Sequence, residues 1–322
     1  MSGWALSNQC VVLAGAIAAP AENWLRERCQ VVSAGVSETA FDDACPDATA
    51  LLVRTDTAVT DDLLARMPNL RVVGRAGVGL DNIDLEACRQ RGIEVVYTPD
   101  ANTQAVVEYV MCLLCDAFRP RMRLAHPVDE GEWRRLRASV VGQRQLNELT
   151  IGILGLGRIG RGVARVASAV GSRVVFNDLR DIPDAERGGA TAVDVDNLFT
   201  ISDVLTIHID GRPSNRDFVN ARLIERMKAD VVLINTARGS VVDNLSLSRF
   251  LAEHKRARAF VDVHEHEPFD ERDPLTALEN AHLYPHLAAR TRTALANMSW
   301  VVRDVVAVLE GREPRRRAAG AS

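Results

Sequence analysis

The sequence predicts an α/β protein built on parallel sheets with helices on both faces. Three observations carry this. Short apolar runs alternate with helical stretches in two successive series, and a glycine-rich turn is set between a strand and a helix. The 322 residues are also enough for two separate cores. Hydrophobic residues make up 47% and charged residues 25%, an ordinary globular balance. A formal charge of −4 and a pI near 6.0 give no reason to expect nucleic acid or an anionic membrane as partner. The basic residues are 37 arginines and two lysines, Lys228 and Lys255, so a single arginine at a suggestive position carries little weight.

The first series has apolar runs at 10–14, 50–53, 70–74 and 94–97, each suited to a strand buried on both faces. Helical patterns fall between them at 61–66 and 84–91, the latter closed by Gly92. Residues 103–118 form an apolar helix, followed by an arginine-rich stretch over 119–137 and a polar loop to about 148. The second series then begins with strand 150–154, the glycine turn, helix 158–170 and strand 173–177. Further strands are expected at 204–208, 231–235 and 259–263, and a last long helix over 291–310. After Gly311 the tail 312–320 reads as disordered.

Of the cysteines, Cys112 and Cys115 form a C-x-x-C within a run that reads as buried helix. No second ligand pair completes a zinc site, so core packing is the expectation. No stretch approaches the ~20 apolar residues of a membrane span, and the N-terminus lacks a secretory pattern. A reducing cytoplasm is therefore expected.

The turn Gly155-Leu156-Gly157-Arg158-Ile159-Gly160 follows the buried run Ile151–Leu154 and opens a helix. In that context Gly155 permits the tight turn and Gly157 lets the backbone approach a pyrophosphate. Gly160 allows close helix–strand packing. Unpaired N–H groups and a partial positive charge at the helix N-terminus then face the phosphates. Asp178 ends the next strand, where a carboxylate accepts bonds from ribose hydroxyls and favours NAD over NADP. Arg180, two residues on, softens that preference.

Polar motifs follow three later strands: Asn235-Thr236-Ala237-Arg238-Gly239, Asp262 with His264-Glu265-His266-Glu267-Pro268, and Pro285-His286. The carboxyl edge of an open α/β sheet is where ligands bind. These motifs supply a guanidinium, a carboxylate and an imidazole.

Together with Gly74-Arg75-Ala76-Gly77-Val78-Gly79-Leu80-Asp81-Asn82, Thr98-Pro99, Asn102 and Glu108, they resemble the D-isomer-specific 2-hydroxyacid dehydrogenase family. The likeness is nearest to short-form D-3-phosphoglycerate dehydrogenases and runs from about Leu51 to Gly311. The resemblance implies two doubly wound domains, a Rossmann domain inserted in a flavodoxin-like substrate domain, with the active site in the cleft. The NAD-binding domain would span 101–288 and the substrate domain 1–100 plus 289–322.

It also implies roles. Arg238 would bind the substrate carboxylate as a bidentate fork. His286 would move the proton, and Glu267 would hydrogen-bond the imidazole and keep it available as an acid. Gly155, Gly157, Arg158, Ile159, Gly160, Asp178, Thr236, Ala237, Asp262 and Val78 would hold NAD, with Asp262 at the nicotinamide carboxamide. Ala76, Gly77, Val78, Gly79 and Asn102 would receive the substrate, and Arg54, Arg75 and Arg135 match positions of cations for a second anionic group. A homodimer is implied, with helix 103–118 and the arm 119–148 as contacts. His264, Glu265 and His266 are read as bystanders, and no metal is expected.

Departures from the family pattern fall at His208-Ile209-Asp210, Val78, Glu148 and Arg290. They bear on substrate more than on chemistry. The expected activity is NAD-dependent dehydrogenation of a D-2-hydroxy acid, or reduction of the 2-keto acid, with a second anion as in 3-phosphoglycerate. Glyoxylate or hydroxypyruvate reduction is the rival, and an NAD(H)-sensing binding protein a remoter one.

Overall fold

The computed structural model describes residues 6–318. The chain forms two compact units: it builds the first up to Asn102, makes the second over Thr103–Ala289, and returns to the first from Arg290. The second unit is thus inserted in the first.

The first unit holds a parallel sheet of β1 (Cys10–Leu13), β2 (Gln30–Ser33), β3 (Ala48–Val53), β4 (Val72–Arg75) and β5 (Glu94–Tyr97), in the order β2-β1-β3-β4-β5. This is the flavodoxin-like order, with its switch point between β1 and β3. Helices α1 (Ala19–Arg26), α2 (Thr39–Ala44), α3 (Asp61–Ala65) and α4 (Leu85–Gln90) connect the strands.

In the second unit α5 (Thr103–Phe118) and α6 (Glu130–Ser139) precede a seven-stranded parallel sheet. Its strands are β6 (Thr150–Leu154), β7 (Arg173–Asn177), β8 (Thr191–Ala192), β9 (Val204–Ile207), β10 (Val232–Asn235), β11 (Arg258–Val261) and β12 (Ala281–Leu283). Helices α7 (Arg158–Ala169), α8 (Val195–Ile201), α9 (Ala221–Ile224) and α10 (Asn244–Glu253) lie between them. The order β12-β11-β10-β9-β6-β7-β8 is the dinucleotide-binding order with one strand added, and it reverses between β6 and β9. The chain closes with α11 (Arg292–Ser299) and α12 (Val302–Leu309) in the first unit.

Both sheets are covered on two faces, which is why their strands are almost continuously apolar. In β1, Cys10 and Val12 enter one core while Val11 and Leu13 enter the other. In β10, Val232 and Ile234 separate from Leu233 in the same way. Side-chain caps fix several helix starts: Thr60, Asp84, Asp129, Asp194, Asn220, Asp243 and Thr291 each accept a first-turn N–H. Each such cap contributes about 1 kcal/mol.

Several sequence expectations are corrected. The single helix over 291–310 is two, α11 and α12, parted at Trp300–Val301. Buried Ser299 causes the break: its hydroxyl donates to Leu295 O at 2.7 Å and accepts from Ala18 N at 2.9 Å, a bond pattern that bends helices. The tail is ordered as far as it is described. Arg315 N donates to Asp304 Oδ1 at 2.7 Å, Ala318 N donates to Val95 O at 2.8 Å, and Arg317 bridges Val96 antiparallel. It pairs the open edge of β5, and residues 319 and 320 lie outside the described residues.

The stretch 119–148 contains α6, which has no buried residue and therefore shows no apolar stripe. Cys112 is exposed and Cys115 half-buried, so core packing is wrong for the first and incomplete for the second. β2, β8, β12, α1 and α2 are short elements that the apolar pattern did not reveal.

Candidate active site

The glycine turn lies at the carboxyl end of β6, at the switch point of the seven-stranded sheet. Gly155 has φ +92°, and a Cβ at Gly160 would stand 2.2 Å from Gly155 O. Both glycines are therefore required by the protein itself. Gly157 is different. A Cβ there would meet nothing within 4 Å, so the space above it is open to a ligand. Arg158 and Ile159 begin α7, which supplies its N-terminal amides at the same place.

Asp178 ends up beside this turn, accepting Leu156 N at 2.7 Å and Arg180 N at 2.9 Å. Burial pushes its carboxyl up, but the Arg180 guanidinium and these amides more than offset this and hold it below the usual range. Arg180 lies across the carboxylate, Nε to Oδ1 at 3.2 Å, where a ribose would meet it. Thr236, at the end of β10, keeps a buried Oγ1 with no hydrogen-bond partner, and Ala237 is buried beside it. The open Gly157, the helix amides and the orphaned hydroxyl fit a dinucleotide.

On the loop after β9, Asp210 is held by Arg212, which lowers its carboxyl, and His208 is pushed down to about 3 by burial. The Asp210 charge near this turn is thus matched by a cation two residues away.

Three neighbouring strand ends carry the expected reacting groups. Arg238 follows β10; its Nη1 donates to Ala237 O at 2.6 Å and its own carbonyl accepts Asn235 Nδ2 at 3.0 Å. Glu267 follows β11 and His286 follows β12, and Glu267 Oε2 lies 2.8 Å from His286 Nδ1. Burial raises the Glu267 carboxyl, but the His286 bond and the His264 N–H hold it below the ordinary carboxylate range. An ionised carboxylate only accepts, so Nδ1 carries the proton and Nε2 is left to meet a ligand.

His286 sits at φ +55°, a left-handed conformation uncommon for a side-chain-bearing residue. Asp262 stabilises it. The wholly buried carboxylate accepts Leu287 N at 2.7 Å and Ala288 N at 2.8 Å, and the Tyr109 hydroxyl also reaches it. Burial raises the Asp262 carboxyl against the opposing pull of these donors. Asp262 therefore braces the loop after His286.

His264, read as a bystander, is buried, and its main-chain N–H reaches Glu267 Oε1. Glu265 and His266 are exposed, and Glu265 is bound to Arg216 at 2.5 Å.

In the first unit, Arg54 follows β3 at the switch point beside β1 and is half-buried. Burial, then the like charge of Arg290, lower it from its ordinary value. Arg75 is buried and turned inward, Nη1 to Ala76 O at 2.9 Å and Nη2 to Thr55 Oγ1 at 3.0 Å. It braces the 76–79 loop from beneath, and Gly77 O accepts both Thr98 N and Thr98 Oγ1 at 3.1 Å. Val78 and Gly79 are half-buried at the far side of that loop. Asn102 retains a buried Oδ1 with no hydrogen-bond partner. Arg135, on the exposed α6, is paired with Glu132 at 2.6 Å.

A parallel sheet with an open glycine turn at its switch point, and a carboxylate–imidazole pair at its carboxyl edge, defines a dinucleotide-dependent oxidoreductase class. Residues 111–288, more than half of the chain, match the family model for the D-isomer specific 2-hydroxyacid dehydrogenase, NAD binding domain. The chain belongs to the D-isomer-specific 2-hydroxyacid dehydrogenases, which are nicotinamide-dependent oxidoreductases.

The D-3-phosphoglycerate dehydrogenase of Archaeoglobus fulgidus is 35% identical over 282 residues, 87% of this chain and 53% of that protein. The chain thus spans about half the length of that relative. The glyoxylate reductase of Aeropyrum pernix is 35% identical over 275 residues, 83% of this chain and 82% of that protein. Among solved structures, the D-lactate dehydrogenase from Aquifex aeolicus complexed with NAD and lactic acid gives a TM-score of 0.81 at 26% identity. The match covers 94% of this chain and 96% of that one.

Proposed function

We propose that this protein is an NAD-dependent D-2-hydroxyacid dehydrogenase, reducing a 2-keto acid in the reverse direction. The observation that carries the reading is the 2.8 Å bond between Glu267 and His286 at the carboxyl edge of a dinucleotide-type sheet. When bound, the nicotinamide exchanges the hydride with C2. His286 Nε2 gives its proton to the forming hydroxyl in reduction and takes it back in oxidation. Glu267 holds the imidazole by Nδ1 and offsets the charge of its protonated form. Arg238 pairs with the C1 carboxylate, and in the 76–79 loop the N–H groups of Val78 and Gly79 receive an anion, since Ala76 N and Gly77 N donate to Val53 O and Arg75 O.

The substrate is proposed to carry a second anionic group, as 3-phosphoglycerate or phosphohydroxypyruvate does. Arg54 supports this: it is half-buried at a switch point with the like charge of Arg290 nearby, an arrangement that an anion would relieve. Arg75 belongs to the loop's support. Glyoxylate or hydroxypyruvate reduction is the second reading, favoured by a match to a glyoxylate reductase that covers 82% of that protein.

The reading extends to a homodimer in a reducing cytoplasm. Exposed Met122, Leu124, Trp133 and Val141 cluster on the arm 119–148, and the six cysteines are free. No helix of the described residues is long and apolar enough to cross a membrane.

The test is NADH oxidation with phosphohydroxypyruvate, hydroxypyruvate, glyoxylate, pyruvate and 2-oxoglutarate, with Arg238→Ala as control. Preference for phosphohydroxypyruvate supports the dianionic substrate, and preference for glyoxylate or hydroxypyruvate supports the second reading. NADH binding with no turnover on any of them would overturn the enzymatic reading in favour of an NAD(H)-sensing protein.

A further inference from the structure

His264 is buried where three strand ends meet. From β11, its main-chain N–H donates to Glu267 Oε1 at 3.1 Å. Toward β12, its Nε2 lies 2.9 Å from Tyr284 O, two residues before His286, and a carbonyl only accepts, so Nε2 carries the proton. From β10, Gly239 packs so closely against it that a Cβ at 239 would stand 2.0 Å from the His264 carbonyl carbon. The ring lies against Phe269, 4.3 Å between centroids and tilted by 37°. Its Nδ1 faces Asp273 Oδ2 at 3.8 Å, too long for a hydrogen bond but within ion-pair range. Asp273 is itself anchored, accepting Leu275 N at 3.0 Å and Asn244 Nδ2 at 3.3 Å.

We propose that His264 is a positioning residue for the acid–base pair, a single buried side chain that ties the loop carrying Glu267 to the strand end carrying His286. The inference rests on reading Glu267 and His286 as that pair. Asp262 holds the backbone just after His286, but each member of the pair lies on a loop beyond its strand, with about a third of its side chain exposed. A mere filler of the cavity would need volume and a flat face, which phenylalanine also provides. The imidazole adds a donor for the Tyr284 carbonyl and an ionic partner for Asp273. Without that donor the Tyr284 carbonyl loses its side-chain partner, and the Glu267 loop loses its side-chain tie to the strand end before His286.

The discriminating variants are His264→Phe, which keeps the ring, and His264→Gln, whose amide nitrogen can reach the same carbonyl. With the keto acid that the wild-type protein turns over, His264→Phe is expected to lower kcat about tenfold, with the KM and the NADH Kd within about twofold. His264→Gln should recover most of the loss. In a Glu267→Gln background, adding His264→Phe should lower kcat no further, because both act through one bond.

A second readout needs neither cofactor nor turnover: acylation of His286 by diethyl pyrocarbonate in the cofactor-free protein, followed by mass spectrometry. His264→Phe should speed it several-fold, and His264→Gln should stay near wild type. Undiminished kcat and an unchanged acylation rate in His264→Phe would overturn the proposal. So would equal losses in both variants, or losses that multiply with Glu267→Gln. A wild-type protein inactive on every keto acid would instead count against the acid–base reading, while the acylation rates still decide whether His264 holds His286.

Discussion

Glu267 and His264 show how the fold sets charge one residue at a time. Glu267 is pushed up by burial and pulled down further by His286 and the His264 amide. It is therefore a fixed anion at neutral pH. Replacing it with glutamine should cut the kcat of keto-acid reduction about 100-fold, with NADH affinity within about twofold, as measured by stopped-flow absorbance and fluorescence titration. The sign of its effect on stability follows from the depressed folded value. The contribution is present above the unfolded value of about 4.3 and is lost as pH falls through the folded one. His264 behaves oppositely. Burial lowers it, but Asp273, the Tyr284 carbonyl and Glu267 more than offset this and raise it. Its contribution is complete below about pH 6.5 and is lost as pH rises through the raised value. Denaturant midpoints against pH should therefore flatten on the acid side in Glu267→Gln and on the neutral-to-alkaline side in His264→Phe. An unchanged slope in either would contradict the corresponding assignment.

At the scale of an element, the turn between β6 and α7 separates glycines required by the fold from the one kept open for a ligand. Gly160→Ala would place a Cβ against Gly155 O, and an overpacked contact of this kind costs about 1–3 kcal/mol. Its melting temperature should drop without cofactor. Gly157→Ala meets no protein atom, so its cofactor-free melting temperature should match wild type while the NADH Kd rises at least tenfold, about 1.4 kcal/mol. Calorimetry paired with NADH titration separates the two. If Gly157→Ala melted early and bound normally, the open space there would have nothing to do with the cofactor. The arm helix α6 stands at the other extreme, held by its Asp129 cap and by Arg134–Glu130 and Arg135–Glu132 pairs without a buried face.

For the whole molecule, the two open questions are what the substrate carries at its far end and how the chain assembles. Arg54→Ala should raise the KM for phosphohydroxypyruvate about tenfold or more and that for glyoxylate less than twofold. Equal effects on both would remove Arg54 from the specificity argument. The exposed apolar side chains of the 119–148 arm include Val141 at 71% and Trp133 at 49% exposure, unusual for side chains facing water alone. Sedimentation velocity should show a dimer for the wild-type chain and a monomer for Trp133→Glu combined with Val141→Glu. A wild-type monomer would leave the arm without its proposed partner.

What the sequence determined by itself was whatever depends on local chemistry and period. Apolar runs buried on both faces mark β1, β3, β6, β9, β10 and β11, because a central parallel strand has no water-facing side to betray it with polar residues. The glycine turn is legible because only glycine meets the steric demands at 155 and 160, Arg238 and Glu267 because each comes after such a run, and His286 through the Pro285-His286 motif of the family. Tertiary structure alone decided the rest. α6 has no apolar stripe, the helix expected over 291–310 breaks after Ser299, whose hydroxyl back-bonds to Leu295 O, and the tail pairs with the edge of β5, none of which leaves a periodic trace. Arg75, read as a ligand for an anion, also reaches Ala76 O and Thr55 Oγ1 and so braces its own loop. His264 looked incidental and lies buried between Glu267 and Tyr284. Residue type and spacing say what a side chain can do; which partner claims it depends on strands far apart in sequence being brought side by side.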